Sequence, residues 1–228
     1  MTIAVGIINK IFNNIHFLNH KTIYLNFKYL PIKQAVYLPF FVSYKVKLRK
    51  VKGKVIITCS LKPGLIKLGV FEIGLYDKKH NRVVWENEGV ITFKGPALFK
   101  YGSILIVGPF GRLELGNNFR FSSGSVIICY KNIIIGDNCR VSWDTQIIDS
   151  DFHRILDKDG VQINPDKEII IGDNCWIGNR TTINKGAFLG SDTVVASNSL
   201  VNKKFEFSNV IIAGIPAKII RSGISWSE

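Results

Sequence analysis

A period of six runs through the second half of this chain. Aliphatic residues recur at Ile135, Val141 and Ile147, then in the same phase at Ile171, Ile177, Ile183, Leu189, Val195 and Val201; Leu115, Phe121 and Ile127 keep the step earlier, offset by two residues. Six does not fit the 3.6-residue turn of a helix, whereas short strands broken at fixed intervals and stacked coil on coil repeat in this way. The residue after each aliphatic one is usually small or polar (Gly136, Ser142, Gly172, Gly178, Asn184, Gly190, Ala196, Asn202). A second small or modest residue follows the aliphatic one by four places (Cys139, Thr145, Cys175, Thr181, Ala187, Thr193, Ser199). Each hexapeptide then forms one flat side of a triangular coil. The aliphatic side chain points into the prism, and Gly or Asn takes the corner where a positive φ is expected. The chain is therefore expected to be all-β, a parallel β-helix burying a column of Ile, Val and Leu.

The repeat is interrupted once, over about 152–168, by a polar stretch containing Asp157, Lys158, Asp159, Gly160, Asn164 and Pro165. This reads as a loop extruded from the coil, and long loops on rigid platforms tend to carry function. Residues 55–110 alternate β-rich stretches with Gly and Pro turns and are read as irregular first coils, giving a β-helix domain over 55–221 and a tail over 222–228. Residues 1–54 differ in kind. Ala4, Ile7, Ile8, Ile11, Ile15 and Leu18 have helical spacing, which predicts an amphipathic helix that caps the solenoid or lies on a membrane surface.

Of the formal net charge of +13, most sits in that segment: twelve Lys or Arg precede the first acidic residue, Glu72, leaving eighteen basic against seventeen acidic residues beyond it. Such one-sided charge suits an anionic partner, such as a membrane surface or an anionic glycolipid met through residues 1–54, or serves only as a solvated face. The four cysteines lack Cys-x-x-Cys spacing, no cleavable leader is recognisable, and no apolar run approaches the roughly 20 residues of a membrane-spanning helix. The expectation is a cytoplasmic protein, at most peripheral at the inner membrane face, with no nucleic-acid partner.

The segment Asp149-Ser150-Asp151-Phe152-His153, the loop after it, and Ile171-Gly172-Asp173-Asn174-Cys175-Trp176-Ile177-Gly178-Asn179 resemble the hexapeptide-repeat acetyltransferases, as does the ending Ala213-Gly214-Ile215-Pro216-Ala217-Lys218. The flavour is that of enzymes that O-acetylate surface polysaccharides. The resemblance implies a left-handed β-helix, acetyl-CoA as donor, a sugar or glycan acceptor, and a homotrimer with active sites between adjacent prisms. It also implies that His153, at the start of the extruded loop, is the general base. Independently, His153 falls in the phase where the core residue should be aliphatic, an anomaly that marks either function or a side chain turned outward as the coil breaks.

A hydroxyl is a poor nucleophile at neutral pH, so its attack on an activated thioester needs a base, and imidazole suits that task. Asp149 and Asp151 flank His153; one orients the imidazole or holds an acceptor hydroxyl. Trp176 matches the tryptophan that lines the donor side in relatives. Gly178 and Ala196 leave room for a pantetheine arm, Lys203, Lys204, Lys218 and Arg221 are candidates for the CoA phosphates, and Ser142 and Trp143 for the acceptor side. No metal is expected, since a zinc solenoid enzyme needs three histidines and the coils offer one. The competing functions are N-acetylation of an amino-sugar nucleotide and a non-catalytic scaffold.

Overall fold

The computed structural model describes residues 17–70, 76–77 and 79–227. Residues 4–16 of the amphipathic helix predicted from Ala4 to Leu18 lie outside them. The chain visits three sheets in strict rotation. The first sheet holds nine strands, from Phe40–Val42, Ile66–Val70, Ala97–Lys100 and Phe119–Phe121 up to an antiparallel pair, Val210–Gly214 and Ala217–Ser222. The second and third hold seven each, and neighbours within a sheet are strands one coil apart. This is a left-handed parallel β-helix of hexapeptide repeats. Coiling starts at Phe40, earlier than the boundary expected at residue 55.

All nine aliphatic positions from Ile135 to Val201 are buried in one continuous core. Thr145 and Thr181 also point inward, and their hydroxyls donate to the carbonyls of Gly178 (3.0 Å) and Ala196 (3.3 Å) one coil further on. In the early coils the filling changes from aliphatic to aromatic. Phe40, Trp85, Phe93, Phe99, Phe119 and Phe121 pack edge to face at centroid distances of 5.7 to 6.3 Å, a favoured geometry for rings. Longer strands and wider turns there, such as the one closed by Gly111 N–H on Gly108 O, blur the hexad in the sequence.

The glycines after the aliphatic positions are needed for a reason other than backbone conformation. A Cβ at Gly178 would meet Val195 O at 2.6 Å and Ser197 N at 2.7 Å, in the next coil. The left-handed residues sit two places later and are mostly Asn or Asp: Asn138, Asp144, Asn174, Asp192 and Asn198, with Arg180 among them, as expected of residues whose short polar side chains tolerate that conformation.

The starting edge is covered by a helix, His20–Tyr29, capped by Asn19, whose side chain accepts from the backbone of Lys21 and Thr22. Asn26 exchanges two hydrogen bonds with Phe40 (2.9 and 3.0 Å), and the Thr22 hydroxyl engages both N–H and C=O of Val42. These side chains replace the missing neighbouring strand. Among the described residues no helix is long and apolar enough to cross a membrane.

Because a methyl at Gly178 has backbone on its far side, Gly178→Ala is expected to cost on the order of 1–3 kcal/mol by overpacking. Ile183→Ala is expected to cost about 2–5 kcal/mol by leaving a cavity. Denaturant unfolding of both variants checks these figures; a neutral Gly178→Ala would show that the coil spacing is softer than the contacts imply.

Candidate functional site

The corner between the second and third sheets is where the loop leaves the coil. Asp149 follows Gln146–Ile148 and takes an inward position, fully buried. Its carboxylate accepts from three backbone N–H groups of the preceding coil, those of Tyr130 (2.7 Å), Lys131 (2.9 Å) and Asn132 (2.8 Å). A carboxylate so committed clamps one coil to another and does not lie beside His153 as expected from the sequence. Its charge, together with burial, pushes the neighbouring Cys129 thiol upward in pKa, burial being the larger cause.

The chain turns out at Phe152, which adopts φ +62°, and from Asp151 to Val161 every residue is exposed. His153 is therefore outside the prism despite its aliphatic phase. Its backbone is held from both sides: its N–H donates to Asp151 O (2.7 Å), and its carbonyl accepts from Asn164 Nδ2 (2.8 Å). Asn164 also donates to Asp151 Oδ2 (2.8 Å) and accepts from Ile155 N (2.6 Å). Lys185, one coil on, reaches back to Asp151 Oδ2 (2.5 Å) and Asn164 O (2.7 Å). Asp151 thus anchors the loop. The Lys185 ammonium, aided by the Asn164 amide, holds its carboxyl below the usual carboxylate range. Asn164 and Lys185 were not singled out from the sequence, because neither occupies a distinctive repeat position; only the fold brings them to Asp151.

The remaining candidates lie elsewhere. Trp176 projects from the first sheet, half-exposed, and donates from its indole to Ser142 Oγ (3.0 Å). Trp143 occupies the next corner, where the Tyr76 hydroxyl bonds Asp144 and the Tyr76 pKa is pushed up to about 12 by burial and that carboxylate. The tail folds back on the coils: Trp226 donates to Asn174 O (2.7 Å) and packs 6.0 Å from Trp176. Ser142, Trp143, Trp176 and Trp226 together line a groove of about 910 Å³. In a triangular coil this face stands across the prism from the corner that bears His153, so one chain does not bring the two groups together.

Gly178 is filled against the coil above, which explains its size without a ligand, and Ala196 stacks directly over it, its N–H bonded to Ile212 O. Lys203 sits at the loop-side corner with its ammonium 5.4 Å from the Phe205 ring, while Lys218 and Arg221 lie on the final antiparallel strand of the first sheet. A second hollow of about 530 Å³ beside the loop gathers Lys131, Lys167, Lys185 and Lys204. Glu168 lines it too; Lys204 is one of the phosphate candidates, while Lys131, Lys167 and Lys185 come from separate coils, which hides them in the sequence. Among the described residues no three His, Cys, Asp or Glu group to hold a metal ion.

The Asp151–Lys185 contact stabilises the loop above the ordinary carboxylate pKa of about 4 and is lost as pH falls through the depressed value. Lys185→Met is expected to speed proteolytic cutting within 152–168 severalfold while barely moving Tm, because an exposed pair contributes little to global stability. The wild type should show the same loosening below about pH 4 and none on going from pH 6 to 8. Equal cutting of both proteins at neutral pH would remove the clamp from the account.

A family model described as the hexapeptide repeat of succinyl-transferase matches residues 168–203. The chain is 30% identical over 128 residues to galactoside O-acetyltransferase of Escherichia coli (strain K12), covering 55% of this chain and 58% of that protein. It is 35% identical over 136 residues to polysialic acid O-acetyltransferase of Escherichia coli O1:K1 / APEC, covering 59% and 42% respectively. The match thus spans about half the length of these curated relatives. The crystal structure of the polySia-specific acetyltransferase NeuO aligns with a TM-score of 0.59 at 25% identity, over 83% of this chain and 79% of that one. Repeat, coil architecture and these likenesses identify the chain as a hexapeptide-repeat, left-handed β-helix protein that resembles the O-acetyltransferases of galactosides and polysialic acid.

Proposed function

We propose that this protein transfers an acetyl group from acetyl-CoA to a hydroxyl of a sugar in a polysaccharide or its precursor, with His153 as general base. The observation that carries the proposal is an exposed histidine, in a position the repeat reserves for aliphatic residues, fixed by its own backbone at the root of a clamped loop. The O-acetyltransferase names of the relatives agree with it. Acetyl-CoA supplies an activated thioester carbonyl, and the basin of Lys131, Lys167, Lys185 and Lys204 offers positive charge for its phosphates.

His153 takes the proton of the acceptor hydroxyl as that oxygen bonds to the acetyl carbon. The carbon–sulfur bond then breaks, and the imidazolium returns the proton to the departing sulfur. Asp151, already engaged by Lys185 and Asn164, positions the histidine and does not move a proton itself.

His153 and the tryptophan-lined face lie on opposite sides of one prism, so we assign the working site to two chains, the loop of one copy meeting the first sheet of the next in a homotrimer. The outer face of the second sheet supports such association. Ile104, Val126, Ile106, Ile128 and Ile148 lie half-exposed there in two adjacent in-register columns, a surface suited to packing between copies.

His153→Ala is expected to lower kcat by about 10²–10⁴ while acetyl-CoA binding persists, followed by thiol release and product mass on a panel of sugars and glycans. Mixing His153→Ala with Trp176→Ala protein, each inactive alone, should restore partial activity after subunit exchange. Absence of acetyl-CoA binding by the wild type would refute the transferase. Failure of complementation in confirmed mixed oligomers would confine the site to one chain.

A further inference from the structure

The helix His20–Tyr29 at the starting edge carries apolar residues on its outer side. The face it turns to the prism holds Thr22, Leu25 and Asn26, and the two polar side chains are committed to the backbone of Phe40 and Val42. Backbone groups of stacked strands point from one strand to the next, along the prism axis. The opposite face of the helix therefore looks away from the end of the molecule. It presents Ile23, Tyr24 and Phe27 at i, i+1 and i+4, each close to half-exposed, with exposed His20 and Lys28 in the same stripe. The short helix Ile32–Ala35 and the turn after it extend this surface. Ile32, Val36 and Tyr37 are 72%, 60% and 54% exposed, and Lys33 is exposed among them. No acidic residue precedes Glu72 in the chain. A helix serving only as an end cap would carry the reverse pattern, with its polar residues outward.

We propose that this end of the prism docks on the surface of an anionic phospholipid bilayer. Ile23, Phe27, Ile32 and Val36 enter the headgroup boundary, the Tyr24 and Tyr37 rings sit at its level, and Lys28 and Lys33 meet the lipid phosphates. Helices that lie in the interface plane combine these features: an apolar face, aromatic rings at headgroup depth, and lysines drawn to anionic lipid. The inference goes beyond the acetyltransferase reading and does not rest on it. Charge decides between occupants. A second copy docked end to end would set lysine against lysine with no carboxylate from this segment to answer, whereas an anionic leaflet attracts both. The helix is already fixed by its Asn19 cap and by the first strand, so docking orders little that was not ordered before. Docked in this way, the prism stands on the bilayer. Gln146–Ile148, which leads to His153, is the fourth strand above Lys47–Val51 in the second sheet, about 19 Å further from the lipid at the usual strand spacing.

The test is flotation of the full-length protein with vesicles, without acetyl-CoA or acceptor. The probes are vesicles of phosphatidylglycerol and phosphatidylethanolamine in equal parts, and vesicles of phosphatidylcholine alone. The protein should float with the anionic vesicles and not with the neutral ones, and added salt should release part of it. Ile23→Ser/Phe27→Ser should weaken binding about tenfold or more, and Lys28→Gln/Lys33→Gln by about the same factor. Phe110→Ser, at a strongly exposed phenylalanine on a turn outside this end, should bind as the wild type does. If Ile23→Ser/Phe27→Ser fails to fold, Ile32→Ser/Val36→Ser, at still more exposed positions, should weaken binding in its place. Wild-type protein that does not float, equal binding to neutral vesicles, binding that survives both apolar pairs, or equal loss with Phe110→Ser overturns the proposal. So does a fall in particle mass in lipid-free solution caused by either apolar pair, which would make this end a contact between copies. Acetyl transfer plays no part in the readout, so failure here leaves that reading standing.

Discussion

Everything in this molecule depends on the hydrogen-bonded stacking of one coil on the next. Strand spacing of about 4.8 Å sets the pitch, and every column of residues along the prism must live within it. That constraint explains features that look unrelated in the sequence: glycines without special φ where backbone lies against a would-be Cβ, threonines turned inward to reach a carbonyl one coil away, and the corner ladder in which Asp137 and Asp173 each accept from a backbone N–H of the coil before. It also fixes the candidate site, because a side chain one coil away is always at hand. Lys185 finds Asp151, and Trp176 finds Ser142, through stacking and not through nearness in the chain.

The fold was legible because the pitch imposes a period, and nine aliphatic positions in register leave little else for the chain to be. The starting point of the coils was not legible, since aromatic filling and wide turns in the early coils lengthen the repeat. Corner chemistry was half legible. Asn and Asp do occupy left-handed positions, but two places from where small residues drew attention, and the glycines answer to packing.

The site divides in the same way. His153 stood out because it violates the aliphatic phase, and the structure accounts for it by taking the chain out of the coil at Phe152. Asp149 lies in the same stretch yet keeps the inward phase, and its burial with three N–H donors makes it part of the scaffold. Nothing local distinguishes these neighbours; only knowing which one is the last residue inside the prism does. Trp226, Asn164 and Lys185 were beyond reach because their roles arise from contacts across 13 to 52 residues of sequence.

The hydrogen bonds that Asn26 and Thr22 make from the helix to the first strand have a consequence beyond local order. A parallel solenoid grows by adding identical rungs, and each finished coil is a template for the next, whether from its own chain or from another molecule. By answering the backbone groups of Phe40 and Val42 with an amide and a hydroxyl, the helix ends the template in a shape that no further strand can copy. The molecule is thereby kept finite at that end, and a fibre-forming architecture becomes a discrete particle.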